Sequence, residues 1–159
     1  MKMSIVTFYR GDPKNAPRPT QRAKLGANAI ITCKGRLLLE RRTDSDMWGL
    51  VGGGVKKQET GLQAIVREVY EELGLRVRPE SFRKLRVYGD PGRIAAYRDG
   101  SVWRMVIVVY ALDLQEEPEL RVSRESKELR FFTPEEVRTL RIPVTHSDIV
   151  EELFLEADP

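Results

Sequence analysis

Short blocks of apolar and β-branched residues run along most of the chain, separated by glycine, proline and polar punctuation. The stretch "LGANAIITCKGRLLLERR" carries such blocks on both sides of Lys34-Gly35 and predicts two strands joined as a hairpin. "DMWGLVGGGV" predicts a short strand running into a loop, because consecutive glycines weaken a strand interior. "LRVRPESFRKLRVYGD" and "SVWRMVIVVYALDL" read as strands around a turn region, "DPGRIAAYRDG", and "ELRFFT" as a further strand. The period changes to 3.6 between Thr60 and Gly74. Thr60 with Gln63 three residues on forms a capping box, and Gly74 closes the helix. Leu62, Val66, Val69 and Leu73 fall on one apolar stripe, with Glu68, Glu71 and Glu72 on nearly the opposite side. Thr133 before Pro134 predicts another helix start, and "SDIVEELFLE" a last helix capped by Ser147. Helices set among sheet segments give an α/β class. Arg10 to Lys24, with three prolines and few apolar residues, reads as irregular. The expected organisation is an irregular N-terminal segment, 1–24, and a single domain over 25–159.

Length and composition agree with one soluble domain: 159 residues, 41% apolar and 32% charged. The longest apolar runs, such as Met105 to Leu112, fall well short of the ~20 residues of a membrane span. The first residues carry no extended apolar stretch or small-residue cleavage site, so the expected compartment is the cytoplasm. The lone cysteine, Cys33, sits in a strand-like block and reads as buried. A net charge of +3 mildly favours anionic partners. Acids and apolar residues interrupt the basic stretches, so nucleic acid is not indicated.

Candidate chemistry changes the picture at Gly52 to Leu75. Glu68 and Glu72 are like charges one helical turn apart, in the C-terminal half of a helix whose dipole also disfavours them. Arg67 can pair with Glu71 but does not neutralise three acids. A divalent cation would, and an all-oxygen ligand set suits Mg²⁺ or Mn²⁺ rather than zinc. The glycines before the helix let backbone approach an ion and phosphates without Cβ clashes. A solvated acidic face after a flexible loop is the competing reading of the glutamates taken alone.

The pattern Gly53-x5-Glu59-x7-Arg67-Glu68-Val69-x-Glu71-Glu72-x-Gly74-Leu75 matches every fixed position of the Nudix hydrolase signature, and the resemblance extends from Leu25 onward. It implies an α/β/α sandwich around a mixed sheet and hydrolysis of a nucleoside diphosphate linked to a group X. It further implies Glu68, Glu72, Glu71 and the Gly52 carbonyl as metal ligands, with Glu68 and Glu71 in catalysis and Arg67 with Glu59 as an orienting salt bridge. A further catalytic carboxylate commonly comes from a distant loop in this family, for which Glu125 is the candidate and Glu128 the alternate. Val51, Lys56 and Gln58 replace the family's usual proline, acid and glycine, which bears on the shape of the loop but removes no ligand.

Pro91, sixteen residues after Leu75, resembles a feature of the family's ADP-ribose and nucleotide-sugar hydrolases, although the acid that often follows is missing. Tyr88, Tyr97 and Trp103 are candidates to stack on a base, and Arg93 and Arg42 to contact phosphate. Three functions compete: the ADP-ribose-like hydrolase, a nucleoside triphosphate pyrophosphatase, and a nucleotide-sugar sensor without turnover. The intact glutamates disfavour the sensor. A homodimer is expected by analogy with relatives.

Overall fold

The hairpin closes as the pattern predicts. In a computed structural model of the chain, which describes residues 6–11 and 14–157, Cys33 pairs with Arg36 across a two-residue turn in which both Lys34 and Gly35 have positive φ. This is the turn whose twist matches that of its strands. The strands it joins are β2, Lys24–Cys33, and β3, Arg36–Arg42. The order continues with β4 (Trp48–Gly49), β5 (Val51–Gly54), α1 (Gly61–Leu73), β6 (Arg83–Tyr88), β7 (Ile94–Tyr97), β8 (Val102–Leu114), β9 (Ser126–Phe132), α2 (Pro134–Val137) and α3 (Val144–Val150). Before them stands β1, Val6–Tyr9. All strands join one mixed sheet, β1-β7-β8-β2-β3-β4, with β5 also on β2, β6 on β8 and β9 on β3. The pairing of β2 with β8 is parallel; the others are antiparallel.

Alternation along β2 and β3 builds two cores, one on each side of the sheet. Ala27, Ala29, Ile31, Cys33 and Leu38 pack with Ala64, Ile65, Val69 and Leu73 of α1. Ile30, Leu37 and Leu39 point the other way, toward Val137, Ile149 and Val150 of α2 and α3. The result is the expected α/β/α sandwich. No helix among the described residues is long and apolar enough to cross a membrane.

Four local expectations change. Val6–Tyr9, read as irregular, pairs with Ile94–Tyr97, which itself lies in the stretch read as a turn region. Gly52 to Gly54, read as loop, pair with Asn28, Ala27 and Gly26. Backbone hydrogen bonding to a central strand there outweighs glycine's poor strand propensity. The last helix starts at Val144 after Pro143, so Ser147 lies within it, and its final turn widens to a π-helix over Glu151–Leu155.

The fourth concerns Arg93, a candidate phosphate contact. It is only 1% exposed and clasps β7 to α3: its guanidinium donates to both Asp148 oxygens (2.9 and 2.6 Å), to the Thr145 carbonyl (2.5 Å) and, through Nε, to Asp90 (3.0 Å). Tyr88 lies under the same guanidinium, 5.2 Å from its ring centroid, and donates its hydroxyl to Glu152 (2.7 Å). Both side chains are thus committed to the fold. Asp148→Ala would leave a buried guanidinium short of its main counter-charge and is expected to cost about 3 kcal/mol in denaturant unfolding. Thr60→Ala, which removes one half of the α1 capping box, is expected to cost only about 1 kcal/mol.

Candidate functional site

Both ends of α1 form as its sequence dictates. The Thr60 hydroxyl accepts from the Gln63 N–H, the Gln63 side chain accepts from the Thr60 N–H, and Gly74 takes the left-handed conformation. The buried face, however, is rotated from the expected stripe. Ala64, Ile65, Val69 and Leu73 are buried while Leu62 and Val66 are only partly so, and the rotation carries Glu68 and Glu72 inward with it. Glu71 alone remains on the outer side, its side chain 52% exposed.

What lets two glutamates in is β5. A Cβ on Gly53 would stand 2.5 Å from Glu68 Oε1, and one on Gly52, at φ +146°, would stand 2.1 Å from the Ala27 carbonyl oxygen. Gly52 N–H reaches Glu72 Oε2 at 3.4 Å. Arg67 brackets the arrangement. It donates to both oxygens of Glu59 (3.0 and 2.6 Å), to Glu68 Oε1 (2.8 Å), to Glu71 Oε2 (3.1 Å) and to the Gly54 carbonyl (2.9 Å). Its hydrogen bonds, with that of the Lys56 N–H, hold the Glu59 carboxyl down to about 2. From behind, Asn28 donates to the Leu50 and Val51 carbonyls (3.3 and 3.4 Å). The Leu50 N–H donates to Nδ1 of His146 (3.3 Å), whose ring burial depresses to a pKa of about 3 and so keeps neutral.

Glu68, Glu72, Gly52, Gly53, Arg42 and Glu125 line one cleft of about 350 Å³. Glu125 stands exposed on the segment before β9. Glu128 instead faces Arg41 and Arg130 on that strand. Arg42 is paired with Asp44 (2.8 and 2.6 Å). Trp103 lies in a neighbouring recess, whereas Tyr88 and Arg93 contribute to neither. Glu71 does not line the cleft.

The sequence reading missed Glu40. It is 3% exposed, lines the cleft, and accepts from the Ser126 hydroxyl (2.6 Å). Its signal was available, since Glu40 shares the parity of Leu38 and therefore faces α1, but in "LLLERR" it reads as the start of a solvated end. Burial, and then the charges of Glu40 and Glu68, push the Glu72 carboxyl far above the ordinary carboxylate range; burial also raises Glu40, which hydrogen-bonds Glu72. Two adjacent buried carboxyls cannot both ionise without a counter-charge.

A model of the NUDIX domain matches residues 22–153. The chain belongs to the Nudix hydrolase family. This Nudix chain is 36% identical over 72 residues to a MutT-like protein of Streptomyces ambofaciens, covering 45% of this chain and 47% of that protein, so it spans about half the length of that relative. It is 30% identical over 118 residues to the nucleoside triphosphatase NudI of Enterobacter sp. (strain 638), 70% of this chain and 78% of that one. Its fold superposes on the E. coli dihydroneopterin triphosphate pyrophosphohydrolase with a TM-score of 0.69 at 20% identity, covering 86% of this chain and 100% of that chain.

The chemistry of the cleft fits a hard divalent cation. Among the described residues no three His, Cys, Asp or Glu side chains form a ready cage, but Mg²⁺ is commonly held by one or two carboxylates with waters and substrate phosphates completing its shell. Glu68 and Glu72 with backbone at Gly52 would supply such a set, and burial beside Glu40 and Glu68 disfavours ionisation of Glu72 where no cation offsets it. A carboxyl whose folded pKa lies above the unfolded value of 4.5 costs stability at every pH above that value. Glu72→Gln is therefore expected to melt higher than the native chain in chelator at neutral pH, by about 1 kcal/mol of stability, with the gain shrinking when Mg²⁺ is added. A lower melting temperature in chelator would mean that Glu72 anchors the fold.

Proposed function

We propose that this Nudix hydrolase is a divalent-cation-dependent pyrophosphohydrolase that cleaves a nucleoside diphosphate linked to a group X, releasing a nucleoside monophosphate and phospho-X. The carrying observation is the convergence of Glu68 and Glu72 with the side-chain-free strand Gly52–Gly54 in one cleft. Mg²⁺ or Mn²⁺ bound there would supply charge neutralisation at the pyrophosphate and a more acidic water. Glu68 and Glu72 would hold the ion with the Gly52 carbonyl. Arg67, itself fixed by Glu59, orients Glu68 and ties Glu71 to the same bracket. Glu125, exposed at the cleft, would accept a proton from an attacking water. Arg42 presents its remaining N–H groups to phosphate.

A second reading, a nucleoside triphosphate pyrophosphatase, is favoured by the similarity to NudI. Products separate the two: a monophosphate with phospho-X, or a monophosphate with pyrophosphate. Asp90, beside the Pro91 turn, is engaged by Arg93. A cytoplasmic location and a homodimer remain part of the proposal.

Glu68→Gln and Glu72→Gln are each expected to lower kcat at least ~10²-fold at saturating Mg²⁺ on a panel of nucleotide anhydrides. Circular dichroism and melting curves would check that both variants fold. Near-normal turnover in either would overturn the metal assignment.

A further inference from the structure

Beside the acid cleft lies a recess with one wall, Gln21, outside the family-matched segment 22–153. Thr20 and Gln21 both donate their backbone N–H to the Val102 carbonyl (2.9 and 3.2 Å), and the Val102 N–H donates to Thr20 Oγ1 (2.9 Å). These bonds staple the N-terminal arm along the start of β8 and make Gln21 one wall of the recess. Trp103, Tyr97, Asp99, Ser101 and Lys24 complete it, around a volume of about 420 Å³. Lys24 lines this recess and the acid cleft alike. Its Nζ stands 5.9 Å from the centroid of the Trp103 ring, so the two spaces meet at a cation.

The chemistry of the walls is selective. Trp103 and Tyr97 are half-buried aromatic residues, the kind of surface on which planar heteroaromatic rings stack. Asp99 is held in one orientation, because its Oδ1 accepts from both the N–H (2.8 Å) and the hydroxyl (2.5 Å) of Ser101. A fixed carboxylate accepts hydrogen bonds only, so it favours a base edge rich in N–H donors. Guanine, adenine and cytosine offer an exocyclic amine, whereas uracil flanks its one N–H with carbonyl oxygens; of the amine-bearing bases, the two-ring purines cover more of the Trp103 and Tyr97 faces.

We propose that this recess holds the purine base of the nucleotide, stacked on Trp103 and Tyr97 and read at its amine edge by Asp99, with Lys24 taking the phosphate that leads into the acid cleft. The assignment rests on the hydrolase reading of that cleft and adds the base to it.

Calorimetric titration of the full chain with GMP, AMP, UMP and ribose 5-phosphate in Mg²⁺ tests it without turnover, since monophosphates contain no anhydride. GMP and AMP are expected to bind about tenfold or more tightly than UMP and ribose 5-phosphate. Trp103→Leu should abolish the purine advantage and leave ribose 5-phosphate binding unchanged. Asp99→Asn, on an exposed turn, should narrow the gap between purines and UMP, and it carries the test should Trp103→Leu not fold. Equal affinity for all four ligands, or a purine advantage that survives substitution, overturns the subsite. Hydrolysis of nucleotide anhydrides by the native chain with no preference among bases would overturn the subsite and leave the hydrolase reading standing. Purine binding without hydrolysis of any anhydride would do the reverse.

Discussion

Helix α1 packs against the Gly52–Gly54 run of β5, where no side chain intervenes, and the site depends on that close approach. With any Cβ at Gly53 the Glu68 carboxylate would have to move, and with one at Gly52 the strand would collide with β2. The glycines therefore set the distance between helix and sheet. At that distance, carboxylates that would otherwise be solvated are drawn into a cleft wall. Their placement works against helix stability, because both are buried and both sit in the half of the helix where the dipole disfavours anions. The apolar contacts of Ala64, Ile65, Val69 and Leu73, together with two well-formed caps, offset this cost.

Two arginines show how the same group serves different ends. Arg93 is enclosed and spends its donors on Asp148, Asp90 and a carbonyl, joining strand to helix. Arg67 is partly open and spends its donors on three carboxylates and the Gly54 carbonyl, joining loop to helix. A planar fork with five donors suits both tasks, and a lysine would serve neither. The difference lies in what remains available: the Arg93 contacts close upon themselves, whereas Arg67 leaves oxygens of Glu68 and Glu71 to other partners.

Local signals were legible where backbone chemistry is local. The Lys34-Gly35 turn, the Thr60 capping box, the Thr133 helix start and the Gly74 cap each depend on residues within a few positions, and each formed where read. The signature itself placed Glu68, Glu72 and the glycines in one region for the same reason. Pairing across long separations was not legible. Val6–Tyr9 becomes a strand only because Ile94–Tyr97 stands beside it, and Gly52–Gly54 only because β2 supplies partners. The helical wheel erred on Glu68 and Glu72 for a related reason: a hydrophobicity pattern assigns charge to solvent, and only the neighbouring strand reveals that a charged face is buried.

Glu40 carries that lesson furthest. It lies twenty-eight residues before Glu68, far outside the contiguous signature, and enters the cleft because β3 alternates and the position two after Leu38 on the same face happens to be acidic. Its side chain disfavours ionisation of Glu72 and accepts in turn from the hydroxyl of Ser126, the first residue of β9. The acid cleft is thus made from the sheet as well as the helix. A cation bound by Glu68 and Glu72 would sit within the field of a third carboxylate that need not touch it. That arrangement strengthens attraction for a divalent ion while leaving ligand positions to water and phosphate, as a metal that must engage a substrate requires.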